Sequence, residues 1–223
     1  MTRFKICGLR DLDNTLVAAQ SGADFIGFNF VPGAKRAIPP ELAKSIIDSL
    51  RARVTGPMPN LVGLFANQPI EDVNRILKQC GLDYAQLCGD ESPAYWARVE
   101  AKIVRQVKVK EHPTVAEAVS ETMEVVGHVA GKGHIPLLDK YETGALGGTG
   151  RTFDWDIARE VAKRYEIMLA GGITPENVSE AIHRVGPWAV DVSSGVETDG
   201  AKDPRKIEAF AAMVKGTDLR QPL

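Results

Sequence analysis

The chain has 223 residues, of which 44% are hydrophobic and 25% are charged, and its formal net charge is −2. This composition is ordinary for a globular protein and allows a substantial core. The charge balance, without a long basic run, excludes the electrostatic footprint of a nucleic-acid-binding protein. No apolar run approaches the roughly 20 residues that a membrane-spanning helix needs.

The cysteines and histidines argue against structural cross-links. The three cysteines are Cys7, Cys80 and Cys88, and such an odd, sparse set fits a reducing cytosol better than a disulfide framework. No Cys-x-x-Cys pair occurs and the four histidines are scattered, so a structural metal site is not expected. No signal peptide is visible before the first predicted strand, and we therefore expect a cytoplasmic protein.

Short apolar runs alternate with helical patterns along the chain. In chain order, the predicted strands cover residues 4–7, 25–30, 61–65, 84–87, 104–109, 135–139, 167–170 and 189–193. The predicted helices cover residues 11–21, 40–50, 69–80, 93–101, 114–122, 154–165, 175–184 and 204–215. Several of these helices begin with proline, whose missing N–H has no partner in the first turn of a helix.

Eight strands, each followed by a helix, predict an α/β protein with one (β/α)8 barrel domain over residues 1–223. A doubly wound open sheet is the alternative, and it is less favoured once the count reaches eight. Residues 141–152 form a long loop after the sixth strand, and long loops in compact domains are usually functional. Residues 51–59 predict a second long loop on the opposite face of the barrel.

Polar residues gather at the carboxyl ends of the predicted strands, where barrels of this kind carry their sites. They are Cys7, Asn29, Lys35, Arg36, Gln86, Cys88, Asp139, Gly171, Gly172, Asp191, Ser193, Ser194 and Gly195. A thiol and a carboxyl group at strand ends suggest proton-transfer chemistry. Each also has a structural reading, because a buried cysteine is commonly an inert apolar residue and Asp139 could cap a turn or helix.

Two loops rich in small residues indicate a phosphate site. Gly171 and Gly172 follow the seventh strand, and Ser194 and Gly195 follow the eighth. Glycines let backbone N–H groups approach an anion closely, and barrels often bind phosphate between these two loops. The structural alternative is that the glycines only make tight turns. The glycine-rich stretch 144–152 does not fit the spacing of a nucleotide-binding loop.

A set of short motifs occurs in a fixed order from Lys5 to about Phe210. They are Lys5-Ile6-Cys7-Gly8, Lys35-Arg36, Gln86-Leu87, Gly89-Asp90-Glu91, Leu137-Leu138-Asp139, the stretch from Gly147 to Trp155, the stretch from Gly171 to Val178, the stretch from Asp191 to Glu197, and Gly200-Ala201-Lys202-Asp203. In this order the set resembles the phosphoribosylanthranilate isomerase family, a barrel family of the tryptophan pathway.

The resemblance implies a reaction and a division of roles. N-(5-phosphoribosyl)anthranilate would rearrange to 1-(2-carboxyphenylamino)-1-deoxyribulose 5-phosphate, with Asp139 as general acid and Cys7 as general base. Arg36 would pair with the anthranilate carboxylate, and Asp191 would lie near the anthranilate. The resemblance implies neither metal nor organic cofactor. It implies a small phosphorylated substrate and a monomer or homodimer, with no nucleic-acid or membrane partner.

These roles set expectations for two pKa values. Cys7 should have a pKa below about 8.5 to act as a base, and burial should raise the pKa of Asp139 above about 3.9. One departure stands out, because this chain has Cys88 where the family usually has histidine after Gln-Leu. We expect that departure to change the pH profile of the reaction and the affinity for substrate.

Three other readings remain open. The related sugar isomerase of the histidine pathway performs the same rearrangement, but it uses aspartates as acid and base and has phosphate sites in both halves. Indole-glycerol-phosphate synthase is also a barrel, and it relies on lysines at strand ends. A barrel that binds the phosphorylated ligand without turnover is the third reading, although the retention of Cys7 and Asp139 speaks against it.

Overall fold

Eight parallel strands close into a barrel in the computed structural model, which describes residues 1–110, 112–140 and 154–218. Each strand pairs with its neighbours along the chain, and the eighth pairs with the first. The strands are β1 (Arg3–Cys7), β2 (Phe25–Asn29), β3 (Asn60–Phe65), β4 (Tyr84–Leu87), β5 (Lys102–Val109), β6 (Ile135–Lys140), β7 (Met168–Leu169) and β8 (Ala189–Val192). The predicted (β/α)8 barrel is therefore confirmed, and the open sheet is excluded. The predicted loop over 141–152 lies outside the described residues.

A helix follows each strand within the described ranges. The helices are α1 (Leu12–Gln20), α2 (Pro40–Arg53), α3 (Ile70–Cys80), α4 (Pro93–Trp96), α5 (Val115–Gly131), α6 (Trp155–Ala162), α7 (Val178–Val185) and α8 (Pro204–Asp218). Between β8 and α8, a 3₁₀ turn over Ser194–Val196 leads into a short antiparallel hairpin of β9 (Glu197–Thr198) and β10 (Ala201–Lys202). This hairpin was not predicted, and it lies beside the candidate site.

Several helices are shorter than their sequence patterns predict, and for α4 and α7 an asparagine side chain explains the difference. The Asn74 amide donates to the carbonyl of Arg98 and accepts from the N–H of Glu100, so it replaces helical bonds after α4. The Asn177 side chain accepts from the N–H of Thr174 and holds a turn before α7 begins. Helix α5 is longer than predicted because its buried face continues through Val126 and Val129.

Alternation along the strands separates two cores. Outward-facing residues such as Phe4, Ile6 and Phe28 pack under the helices, where each fully buried side chain contributes about 1.5–3 kcal/mol relative to exposure. The inward-facing rings of Phe25 and Tyr84 meet edge to face with their centroids 5.6 Å apart. They belong to the apolar cluster inside the barrel, and the polar ends of the strands lie at its other end.

Across the described ranges, none of the helices combines the length and the apolar character that crossing a bilayer requires.

Candidate active site

One cavity at the carboxyl ends of the strands collects nearly all of the predicted site residues. Its lining includes Cys7, Arg36, Gln86, Cys88, Asp139, Gly171, Gly172, Asp191, Ser193 and Ser194. Of the residues predicted to act in catalysis or in substrate or phosphate binding, Gly195 does not line it. The residues come from β1, β4, β6 and β8 and from the loops after β2, β4, β7 and β8. The closed barrel therefore brings together positions that are far apart in sequence.

Cys7 sits at the tip of β1, facing into the barrel beside a buried lysine. Lys5 and Cys7 are two residues apart on one strand and therefore share its inner face. A Cβ atom at Gly27, the β2 partner of Cys7, would lie 3.1 Å from Lys5 Cε and 3.2 Å from Cys7 Sγ. Gly27 thus leaves the space in which the Lys5 ammonium lies beside the Cys7 sulfur, where its positive charge favours the thiolate.

Lys5 and Asp191 form an ion pair inside the barrel. Lys5 is fully buried, and its Nζ lies 2.9 Å from Asp191 Oδ1. The two residues are register partners on β1 and β8, so the pair is built into the strand alignment. Burial alone would lower the pKa of Lys5, but the Asp191 charge and hydrogen bond, together with Cys7, raise it. The lysine is therefore a permanent cation beside the thiol.

The expected low pKa of Cys7 is wrong. Burial raises the pKa of the Cys7 thiol above its ordinary value, and the negative Asp191 adds to the rise. The cations of Lys5 and Lys202 oppose this change without reversing it. The loss of hydration therefore outweighs the nearby positive charge. Cys7 is mainly a thiol at neutral pH, and its thiolate is a minority form.

Asp139 ends the apolar part of β6 in a largely dry environment. Its side chain is only 7% exposed. Gln106 Nε2 donates to Asp139 Oδ2 at 2.7 Å, and the N–H of Lys140 donates to Oδ1 at 2.8 Å. Burial raises the pKa of Asp139 to about 6, even though both hydrogen bonds favour the carboxylate. The direction matches the expectation from sequence and keeps a useful fraction of Asp139 protonated near neutral pH.

Arg36 reaches the cavity from the loop after β2, with part of its guanidinium already paired. Its Nε and Nη2 donate to the two carboxylate oxygens of Glu197 at 2.6 and 2.8 Å. Within the described residues, Nη1 has no protein acceptor. One edge of the guanidinium is therefore still available to an anion in the cavity.

The loop after β7 presents free backbone donors. Gly171 and Gly172 have φ values of +82° and +72°, a backbone conformation that residues with a side chain rarely adopt. Their N–H groups have no hydrogen-bond acceptor within the described ranges. The Asn177 amide donates to the carbonyl of Gly172 and fixes the loop from behind. Two fixed, unpaired N–H groups at a cavity wall are suited to an anionic oxygen.

Gly195 has a packing role that the sequence did not reveal. A Cβ atom at this position would lie 2.1 Å from the carbonyl oxygen of Ile173. Only glycine therefore allows the loop after β8 to pack against the loop after β7. The predicted phosphate contact of Gly195 stays a prediction.

The residue that replaces the family's histidine is a buried thiol. Burial raises the pKa of Cys88 to about 12, so it is neutral at physiological pH. Gln86 Nε2 donates to its sulfur at 3.5 Å. The amide oxygens of Gln86 and Gln106 are buried without a partner among the described residues, and both residues line the cavity. These two oxygens can accept hydrogen bonds from hydroxyl groups of a ligand.

Three site residues were underestimated or missed from the sequence. Lys5 carried a usable signal, because the period of a strand places it on the same face as Cys7. Glu197 and Lys202 lie on the unpredicted hairpin, and nothing in their spacing relates them to Arg36. In the described portions of the chain, no three His, Cys, Asp or Glu side chains come together in a way that could hold a metal ion.

Comparison with known proteins identifies the family of this chain. The family model described as N-(5′-phosphoribosyl)anthranilate (PRA) isomerase matches residues 4–213. The N-(5′-phosphoribosyl)anthranilate isomerase of Dehalococcoides mccartyi is 42% identical to this chain over 218 residues, which is 98% of each protein.

Solved structures agree with the sequence comparison. The crystal structure of phosphoribosyl anthranilate isomerase from Thermotoga maritima superimposes with a TM-score of 0.82 at 34% identity, covering 97% of this chain and 100% of the other. A phosphoribosyl anthranilate isomerase in complex with reduced 1-(o-carboxyphenylamino)-1-deoxyribulose 5-phosphate has a TM-score of 0.79 at 33% identity, with the same coverage.

Proposed function

The chain belongs to the N-(5′-phosphoribosyl)anthranilate isomerase family, and we propose that Cys7 and Asp139 carry out its reaction as general base and general acid. The enzyme converts N-(5′-phosphoribosyl)anthranilate into 1-(2-carboxyphenylamino)-1-deoxyribulose 5-phosphate, an aldose–ketose isomerisation of tryptophan biosynthesis. One observation carries the assignment of roles: a thiol and a protonatable carboxyl group, at the tips of β1 and β6, face the same cavity.

Asp139 acts first. Its carboxyl proton goes to the ring oxygen of the ribose, the bond from that oxygen to C1 breaks, and the nitrogen lone pair forms a Schiff base with C1. The pKa of about 6 suits this task, because the acid is still partly protonated at neutral pH and readily gives up its proton. The Gln106 and Lys140 donors then stabilise the carboxylate that remains.

Cys7 acts second. The iminium withdraws electrons from C2 and acidifies its proton, so a thiolate of modest basicity can remove it. The electron pair moves into a C1–C2 double bond and gives an enolamine, which becomes the ketone when the 2-hydroxyl loses a proton and C1 gains one. The ammonium of Lys5 lies beside the sulfur, and its positive charge stabilises the thiolate.

The rest of the cavity binds the two anionic ends of the substrate. The free edge of Arg36 pairs with the anthranilate carboxylate, and Asp191 lines the wall nearby. The backbone at Gly171, Gly172, Ser194 and Gly195 holds the phosphate. This division is supported by the N–H groups of Gly171 and Gly172 and by Nη1 of Arg36, which have no acceptor among the residues that the structure describes.

We also infer that the enzyme works in the cytoplasm as a monomer or homodimer. All three cysteines are free thiols, as expected in a reducing compartment.

Turnover of freshly prepared N-(5′-phosphoribosyl)anthranilate, followed by the loss of its fluorescence, tests the function directly. Product formation at a rate proportional to enzyme concentration is the expected result. Binding of a reduced product analogue without any turnover would support the non-catalytic reading instead.

Arg36→Ala should raise KM roughly 10- to 100-fold, the loss expected for hydrogen bonds between charged groups. The kcat should fall much less, because Arg36 is not proposed to take part in proton transfer. Steady-state kinetics measure both constants. Arg53→Ala, at the exposed far end of α2, is the matched loss of an arginine and should leave KM unchanged. An unchanged KM in Arg36→Ala would refute the carboxylate clamp.

The pH profile of kcat/KM should be flat from about 6 up to the raised pKa of the Cys7 thiol and fall on both sides. The active form needs a Cys7 thiolate and a protonated Asp139, yet the pKa of the base lies above that of the acid. Between the two values, each rise of one pH unit increases the thiolate tenfold and decreases the protonated acid tenfold, so the two changes cancel. Below about 6 only the thiolate still falls, and the rate drops tenfold per unit.

A Gln106→Leu variant identifies the group behind the acid limb. Loss of the Gln106 hydrogen bond should raise the pKa of Asp139 further and move that limb to higher pH. The second ionisation of the substrate phosphate also lies near 6, but it would not respond to this change. A limb that stays in place in Gln106→Leu would therefore contradict its assignment to Asp139.

A further inference from the structure

A buried cluster of three charged side chains stands behind the free edge of Arg36. Glu197 Oε1 accepts from Arg36 Nε at 2.6 Å and from Lys202 Nζ at 2.7 Å, and Glu197 Oε2 accepts from Arg36 Nη2 at 2.8 Å. The side chains of Arg36, Glu197 and Lys202 are 12%, 7% and 3% exposed. Of the three, only Arg36 lines the cavity.

We propose that Glu197, anchored by Lys202, is a positioning residue that fixes which edge of Arg36 faces the substrate and thereby determines selectivity for an ortho-carboxylated aromatic ring. This inference rests on the proposed role of Arg36. Neither Glu197 nor Lys202 touches the reacting atoms. Their effect passes through the orientation of the guanidinium.

The Arg36 guanidinium can bind a carboxylate along either of two edges, and Glu197 occupies one of them. Its five N–H groups form two edges that can each hold a carboxylate with two parallel bonds. Glu197 occupies the edge made by Nε and Nη2. The edge made by Nη1 and the second proton of Nη2 is left for a ligand. A freely rotating arginine would present either edge, whereas this one presents a single edge in a single plane.

Backbone pairing and further hydrogen bonds hold Glu197 and Lys202 in place. Glu197 and Lys202 are register partners on β9 and β10, so the hairpin holds them opposite each other. Lys202 Nζ also donates to the carbonyl of Ser193 at 2.8 Å, and Lys206 Nζ donates to the carbonyl of Glu197 at 2.7 Å. The Glu197 carboxylate is therefore tied through Lys202 to the backbone at Ser193, and the backbone of Glu197 is itself held by Lys206.

The aliphatic part of the Arg36 side chain passes close to Gly8. A Cβ atom at Gly8 would lie 2.6 Å from Arg36 Cδ, and Gly8 has a φ of +77°. The glycine that follows the catalytic Cys7 thus provides the space through which Arg36 reaches Glu197. The same turn places the thiol and the carboxylate clamp relative to each other.

Charge explains why three groups are present instead of two. One arginine and one glutamate would leave the site neutral and would weaken its attraction for an anion. The addition of Lys202 leaves a net charge of +1 in the cluster, which matches the single negative charge of an anthranilate carboxylate. Burial alone would raise the pKa of Glu197, but the bonds from Arg36 and Lys202 lower it to about 2, so Glu197 stays a carboxylate at working pH. Burial lowers the pKa of Lys202, and the Glu197 carboxylate opposes that change.

A variant that keeps the charge of Glu197 separates its effect on the orientation of Arg36 from its electrostatic effect on the ligand. Glu197→Asp keeps every charge but withdraws the carboxylate by one methylene group, so both bonds to Arg36 cannot persist without displacing it. Calorimetry would measure binding of reduced 1-(o-carboxyphenylamino)-1-deoxyribulose 5-phosphate and of the same compound without its carboxyl group. We expect Kd for the carboxylated ligand to rise roughly tenfold, and Kd for the other ligand to stay unchanged.

The controls define what would overturn the inference. Equal losses for both ligands would show that the cluster only supports the loops, and no loss for either would show that Glu197 does not orient Arg36. Glu197→Gln combined with Lys202→Met removes one charge of each sign and should reproduce the selective loss, which covers the case in which Glu197→Asp does not fold. Glu208→Gln, exposed on α8, should behave as the parent.

Arg36→Ala distinguishes the proposed role of Arg36 from the proposed role of Glu197. If it abolishes the preference for the carboxylated ligand while Glu197→Asp leaves that preference intact, the clamp stands and the positioning role of Glu197 is wrong. If Arg36→Ala leaves the preference unchanged, the proposed role of Arg36 is wrong, and the inference that rests on it falls with it.

Discussion

Cys7→Ala is expected to lower kcat by about 10²–10⁴, the range for loss of a general base, and to leave KM nearly unchanged. The variant retains Asp139 to open the ring and the backbone donors to hold the phosphate. Only the removal of the C2 proton loses its base. Water can replace the thiolate inefficiently, and for this reason we expect a large loss of activity that is not complete.

Two further variants show whether the loss is specific to this thiol. Cys7→Ser keeps the size of the side chain but replaces the thiol by a far weaker acid, so it should remain as slow as Cys7→Ala. Cys80→Ala removes a buried thiol at the end of α3, outside the cavity, and should keep the parental kcat. Turnover of Cys7→Ala at the parental rate would mean that another group, with Asp191 the nearest candidate carboxylate on the cavity wall, removes the proton.

The strand ends could be predicted from the sequence because they depend on local patterns. A run such as Ile135 to Leu138, followed by Asp139, marks both a buried strand and the position of its tip. In a closed parallel barrel, all such tips lie at one end. Cys7, Arg36, Asp139 and Asp191 therefore meet in one cavity although up to 184 residues separate them, the difference between positions 191 and 7.

The electrostatics of the site could not be predicted in the same way. Whether a thiol next to a lysine has a low or a high pKa depends on how far burial removes water, and here burial outweighs the attraction to Lys5. The sequence shows that a lysine is near Cys7, but it does not show how deeply the thiol is buried. The opposite holds for Asp139, since an apolar run before a carboxylate is itself a sign of burial, and the direction of its pKa shift was predicted correctly.

The pairing of Arg36 with Glu197 could not be predicted from the spacing of residues in the sequence. The two residues are 161 positions apart, and Glu197 belongs to a hairpin of two-residue strands that is too short to give a periodic signal. The ends of α4 and α7 that differ from the prediction have the same cause. Asn74 and Asn177 replace helical bonds through side chains, and such contacts depend on the tertiary structure.

Asp139→Asn is expected to lower kcat by about 10²–10⁴, because an amide cannot give a proton to the ring oxygen. The fold around it should survive. An amide at position 139 would place an NH₂ group against one of its two present donors, but the Gln106 side chain can turn and offer its unpartnered Oε1 as an acceptor. KM should change little, and thermal unfolding should confirm that the variant is folded.

A kinetic isotope effect distinguishes the two proposed roles. Deuterium at C2 of the ribose slows only the step in which that bond breaks. In Cys7→Ala proton removal limits the rate, so the full isotope effect should appear. In Asp139→Asn ring opening limits the rate, so the deuterated substrate should react as fast as the ordinary one. The reverse pattern would exchange the roles of the two residues, and a full isotope effect in both variants would mean that Asp139 acts at the proton-removal step and not at ring opening.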